Sequence, residues 1–92
     1  MLTSHQVNEG RLLMTIFDFE TTGDTLEAHT HDAVTSHYSI VAAGTLRMFG
    51  QGQSDQVLKS GSVVKIEPGQ EHGFTAMTPR ARLINVVYGE NA

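Results

Sequence analysis

Apolar and polar positions alternate with a period of two in short runs, separated by glycine, proline, asparagine or aspartate turns about every ten residues, and no stretch sustains a helical period. The runs predict strands over residues 12–19, 25–30, 37–43, 45–49, 56–58, 62–66, 74–77 and 82–88. Residues 1–10 are polar and read as a lead-in or an early edge strand, with His5 a solvated surface residue. Residues 50–55, Gly-Gln-Gly-Gln-Ser-Asp, read as a plain hairpin connection, because no lysine-serine pair directly follows a loop glycine and no helical pattern follows to make a phosphate loop. Many short strands at this spacing predict a sandwich or barrel.

The strand over 12–19 is apolar on both faces: Leu12, Met14 and Ile16 form one set, and Leu13, Phe17 and Phe19 the other. One set can enter a core, whereas the other needs a second layer or a second subunit, so a homodimer is expected. Phe17, Phe19, Val64, Ile66, Phe74 and Val87 are expected in the core, since a barrel this small needs nearly all its large apolar residues for packing.

Composition narrows the chemistry. The 92 residues make one small domain, for which a metal or a partner chain would add stability. There is no cysteine, which excludes disulfides, thiolate metal sites and a cysteine nucleophile, so any metal would be bound by nitrogen and oxygen. The net charge is −4, and the basic residues Arg11, Arg47, Lys59, Lys65, Arg80 and Arg82 are scattered, which argues against nucleic acid. No apolar run approaches the ~20 residues of a membrane helix, and the N-terminal stretch lacks the basic-then-apolar order of a signal peptide. A soluble cytoplasmic protein that does not engage a membrane is expected. Neither a serine triad nor a converging carboxylate pair is evident.

The stretch from Gly23 to Gly44 holds three of the five histidines, with five residues between Gly23 and His29, one between His29 and His31, five before His37 and six before Gly44. On a strand His29 and His31 point the same way, and turn-forming residues from Asp32 to Ser36 would let a hairpin bring His37 back beside them. Glu27 shares that face by alternation unless a bulge turns it to solvent. Beyond His37 the same face continues with Ser39 and Val41, so Ser39 either leaves room for a ligand or hydrogen-bonds an imidazole.

These motifs resemble those of the cupin superfamily. Gly23 to Gly44 resembles the first cupin signature, in which a glycine, five residues, His-x-His, a short gap, a glutamate, six residues and a glycine follow one another. Gly61 to His72 resembles the second, with Glu67 at the usual proline place followed by Pro68, Gly69 and His72, and sixteen residues separate Gly44 from Gly61. The sequence departs from the pattern in three ways: His37 stands where glutamate is usual, the gap before it is longer, and Ala76 stands where many members have asparagine. The resemblance covers about residues 12–88 of a single domain spanning 1–92, and it implies an all-β double-stranded β-helix, the jelly-roll barrel.

Carried across position by position, the resemblance implies a divalent transition metal held by His29, His31, His37 and His72. Neutral imidazoles suit Fe, Ni, Zn or Cu, with Mn a further candidate. Glu27 and Ser39 are candidate pocket residues, and Glu27 reads equally as a solvated side chain. The implied function is a small-molecule metalloenzyme, a dioxygenase or a related type. The alternative is a binding or sensing module that captures a small ligand without turnover around a structural metal.

Overall fold

The computed structural model describes residues 1–30 and 37–88. Among these residues the chain forms strands only: β1 (Leu2–Glu9), β2 (Leu12–Phe19), β3 (Thr25–His29), β4 (His37–Ala43), β5 (Thr45–Phe49), β6 (Gln56–Lys59), β7 (Val63–Ile66), β8 (His72–Ala76) and β9 (Ala81–Tyr88). No helix is long and apolar enough to cross a membrane among the described residues. The strands make two antiparallel sheets, one ordered β1-β2-β9-β4-β7 and the other β3-β8-β5-β6. This is the expected all-β, single-domain architecture.

The strand ends shift from the predicted positions where pairing decides them. The polar lead-in is an edge strand, since Leu2 to Glu9 pair residue for residue with Phe19 to Leu12. Strand β8 starts two residues early because His72 pairs with His29 and Gly73 with Phe49. Lys59 extends β6 by pairing with Thr45. Ser62 drops out of β7 because its N–H donates to the Lys59 carbonyl in the turn.

The two sheets face each other across an apolar core of Phe19, Val41, Leu46, Met48, Leu58, Ile66, Phe74, Ala76, Ala81 and Leu83. Leu2, Phe17, Leu26 and Val64 pack on its margin. The expectation therefore holds fully for Phe19, Ile66 and Phe74 and in half-buried form for Phe17 and Val64, while Val87 is half-buried outside this core. Each fully buried side chain of this size contributes roughly 1.5–3 kcal/mol, which offsets the ordering of a short chain.

Gly44 makes the sharp passage from β4 in one sheet to β5 in the other. Its φ is +72°, and a Cβ there would lie 2.7 Å from Thr78 Oγ1 and 2.9 Å from Ala81. Both the backbone conformation and the space demand glycine.

The cross-strand register sorts the inward face of the first sheet into rows. Leu13, Val87, His37 and Ile66 lie side by side in one row. The next holds Gln6, Thr15, Asn85, Ser39 and Val64, and the one below it Ser4, Phe17, Leu83 and Val41. A polar row thus separates the level of His37 from the apolar floor.

Candidate metal centre

Strands β3 and β8 present His29 and His72 from one sheet, and β4 presents His37 from the other. The rings of His29 and His72 have centroids 4.4 Å apart, and those of His37 and His72 5.1 Å apart, both tilted. His72 is 0% exposed and His37 3%, while His29 is half-buried. Histidines that the sequence places 43 residues apart, His29 and His72, meet because they are register partners. His31, the fourth implied ligand, lies outside the described residues. His5 is on the exposed face of β1, away from the cluster, as expected.

Two main-chain oxygens aim the rings. His29 Nδ1 lies 2.7 Å from the carbonyl of Glu27, and His72 Nδ1 2.8 Å from the carbonyl of Gln70. A carbonyl oxygen only accepts, so in each case Nδ1–H donates and the neutral ring keeps its lone pair on Nε2. The Nε2 atoms of His37 and His72 are sealed from solvent inside the barrel. Fixing the tautomer and the ring plane through Nδ1 is how metal-binding histidines are held, and the donor set fits a transition metal in this respect. Among the described residues, no group of three or more histidine or carboxylate side chains is gathered so that it could hold a metal ion.

A β-bulge creates the Glu27 contact. The β3–β8 register runs Thr25 to Thr75 and Leu26 to Phe74, then skips to His29 against His72, so Glu27 and Ala28 together oppose Gly73. Gly73 makes this possible, because a Cβ on it would come within 2.8 Å of the Ala28 nitrogen and 2.7 Å of the Phe49 ring. The bulge breaks the alternation that would put Glu27 beside the histidines: its side chain is exposed, and its carbonyl is the part that reaches the cluster.

Gln70 sits in a web of loop contacts. Its Nε2 donates to Gln53 Oε1, the Glu67 N–H donates to its Oε1, and Gln53 Nε2 donates to the Glu71 carbonyl. The Gln51 N–H adds a 2.7 Å bond to a Glu71 carboxylate oxygen. These contacts hold the turn whose carbonyl aims His72. A surface cavity of about 470 Å³ opens over the same loops, lined by Thr30, Gln51, Gly52, Gln53, Gly69, Gln70 and Glu71. It is distinct from the histidine cluster, although Thr30 adjoins His29 and Gln70 holds His72.

Ser39 is fully buried, and its hydroxyl donates to Asn85 Oδ1 at 2.7 Å rather than to an imidazole. Asn85, 6% exposed on β9, was not singled out by the sequence pattern. The available signal was a polar residue at an inward position of a strand otherwise carrying Ala81, Leu83 and Val87 on that face.

No protein-family model matches the sequence, and a comparison with curated proteins finds no match. Solved structures do match its shape. An RmlC-like cupin from Desulfovibrio desulfuricans is 22% identical, with a TM-score of 0.81 over 94% of this chain and 81% of the other. KdgF from a Halomonas species is 19% identical, with a TM-score of 0.80 over 92% of this chain and 76% of the other. The cupin domain of Cnp3 from Schizosaccharomyces pombe is 11% identical, with a TM-score of 0.79 over 98% and 62%.

Proposed function

Starting from the cupin fold, we propose that the barrel binds one divalent transition metal through His29, His31, His37 and His72 and acts on a small molecule as an oxygenase or a related metalloenzyme. The observation that carries this reading is the orientation of His29 and His72. Two rings on neighbouring strands each donate Nδ1–H to a carbonyl and keep Nε2 as the donor atom, with the His37 ring 5.1 Å from that of His72. Such an ion would supply Lewis acidity toward a coordinating oxygen and, for a redox-active metal, reactivity toward dioxygen.

The chain's own residues have separate tasks in this reading. The carbonyls of Glu27 and Gln70 keep the rings from rotating. Phe74, whose ring centroid lies 6.3 Å from that of His72, and the core below it exclude bulk water from that side. The polar row under His37 gives the interior a surface that can meet an oxygen-bearing ligand.

A second reading, a ligand-binding or sensing module with a structural metal, is favoured by the burial of His37 and His72, because a closed set of imidazoles leaves no position for chemistry. Elemental analysis of purified variants tests the site. His72→Ala should lower bound metal at least about tenfold, and His5→Ala should leave it unchanged; full metal content in His72→Ala overturns the proposal. An azide-induced change in the visible spectrum of the cobalt-loaded protein would then select the catalytic reading, and its absence the binding one. The outer face of the first sheet, described below, is proposed to be covered by a second copy of the chain.

A further inference from the structure

Six of the seven described residues with a positive φ are glycines. The seventh is Arg80, at +56°, in the turn that follows Pro79 and leads into β9. A side chain is disfavoured in this left-handed region because its Cβ crowds the following carbonyl oxygen, a conflict that glycine avoids. At this one position the chain keeps a guanidinium where glycine would cost less, and strain of that kind marks a side chain that is needed for something other than the turn.

Main-chain bonds hold the strained residue in place. The Arg80 N–H donates to the Glu20 carbonyl at 3.1 Å, and the Glu20 N–H donates to the Met1 carbonyl at 3.3 Å. Two residues of opposite charge are thus joined through the backbone. Among the described residues, however, neither the Arg80 guanidinium nor the Glu20 carboxylate makes a hydrogen bond or an ion pair. The charges around them are already satisfied: Asp18 accepts from Arg82 on both oxygens, and Asp24 accepts from the Met1 ammonium at 2.7 Å.

Both unpaired groups line a cavity of about 300 Å³, a volume that takes a small molecule. Buried Phe19 and Ala81 close its base, and Met1, 70% exposed, adds a flexible apolar wall. Phe19 pairs with Ala81 six strand positions from the row of Leu13 and His37, roughly 20 Å along the sheet, so this cavity is separate from the histidines.

We propose that the cavity is a second binding site, in which Arg80 receives the carboxylate and Glu20 the ammonium group of a free α-amino acid whose apolar side chain lies against Met1. The class follows from the walls. One unpaired cation and one unpaired anion select a ligand that carries both signs, and Asp18, neutralised by Arg82, adds no net charge. An inorganic phosphate would face repulsion from Glu20, and a simple carboxylic acid would leave Glu20 without a partner.

The test titrates the full chain, with no metal added, and follows its backbone amide resonances. The probes are L-leucine and two relatives that each lack one charge, 4-methylpentanoate without the ammonium and L-leucinamide without the carboxylate. L-Leucine should shift the amides of Glu20, Arg80 and Ala81 and leave that of Gly73, beside the histidines, in place; static resonances at millimolar leucine overturn the proposal. Each relative should bind at least about tenfold more weakly, the effect of losing one hydrogen bond to a charged group, and equal binding by either refutes the reading of the charges. Arg80→Gly suits the backbone and removes the guanidinium, so it should weaken leucine at least about tenfold and raise the urea midpoint. Unchanged leucine affinity in this variant sinks the site, and so does a lower midpoint, which would mean that the side chain serves the fold. Glu20→Gln keeps the main-chain carbonyl that Arg80 uses and should abolish the preference for leucine over 4-methylpentanoate; a preserved preference removes Glu20 from the site and with it the amino-acid assignment. None of these readouts involves the histidines or an ion, so failure here is distinguishable from failure of the metal-binding proposal.

Discussion

Single residues decide where this chain can turn and which charges it carries. Gly44 combines a φ of +72° with backbone and side-chain atoms of Ala81 only 2.9 Å from where a Cβ would stand. Gly44→Ala should lower unfolding stability by about 2–3 kcal/mol through strain and steric conflict, measured as a fall in the urea midpoint. Asp18 illustrates a different residue-scale effect. Arg82, its register partner, donates Nε to Oδ1 at 2.8 Å and Nη2 to Oδ2 at 3.1 Å, and the guanidinium holds the Asp18 carboxyl below its usual 3.8. A carboxylate with a lowered folded pKa stabilises above its unfolded value, and that contribution is lost as pH falls through the folded one. Asp18→Asn should therefore lower stability slightly at neutral pH, where the contribution is fully present, and make the fall below about pH 4 shallower, converging with the wild type at the acid end. Both side chains remain well exposed, so the effect is small and weakens with salt, and chemical denaturation from pH 2 to 7 at two ionic strengths measures it.

At the scale of elements, alternation and turn residues made most strands legible: β2, β4 and β5 have the limits the pattern predicts, because Gly44 and Gly50 close β4 and β5 and the charged Arg11 and Glu20 bound the run of strand formers in β2. What stayed hidden depends on partners distant in sequence. The start of β8 is set by His29 and Phe49, and the bulge in β3 by the missing side chain of Gly73, neither of which is visible from the local pattern. The histidine cluster was legible through its motif spacing, since a strand reading alone brings His29 and His31 together but cannot reach His72. The aiming carbonyls and the role of Asn85 were not legible, because the first depend on backbone path and the second on the register between β4 and β9.

For the whole molecule, the outward face of the five-stranded sheet is the feature that a single chain leaves unresolved. Its rows run Ile16, Ile84, Ile40 and Val63, and Met14, Val86 and Tyr38, and Tyr38 and Val63 are 47% and 60% exposed. The charges near the rim are paired within the chain, Arg82 with Asp18 and Lys65 with Glu67 at 3.5 Å, so little net charge opposes self-association. A second copy seated on this face is the expected cover. Light scattering at micromolar concentration should give twice the chain mass, and Ile40→Glu, at the centre of the face, should shift the population to monomer. A wild-type monomer across a wide dilution range would refute it.

The bonds that aim His29 and His72 end on the oxygens of Glu27 and Gln70, and every amino acid supplies such an oxygen. At Glu27, whose side chain is exposed, the residue type is interchangeable for this purpose, whereas at Gln70 the side chain also holds the turn that carries the carbonyl. Alanine scanning, which trims side chains and spares carbonyls, would pass over Glu27 without registering what it does for the His29 ring. The part of the cluster that aims His29 is thus inherited as the course of the backbone rather than as residue identity.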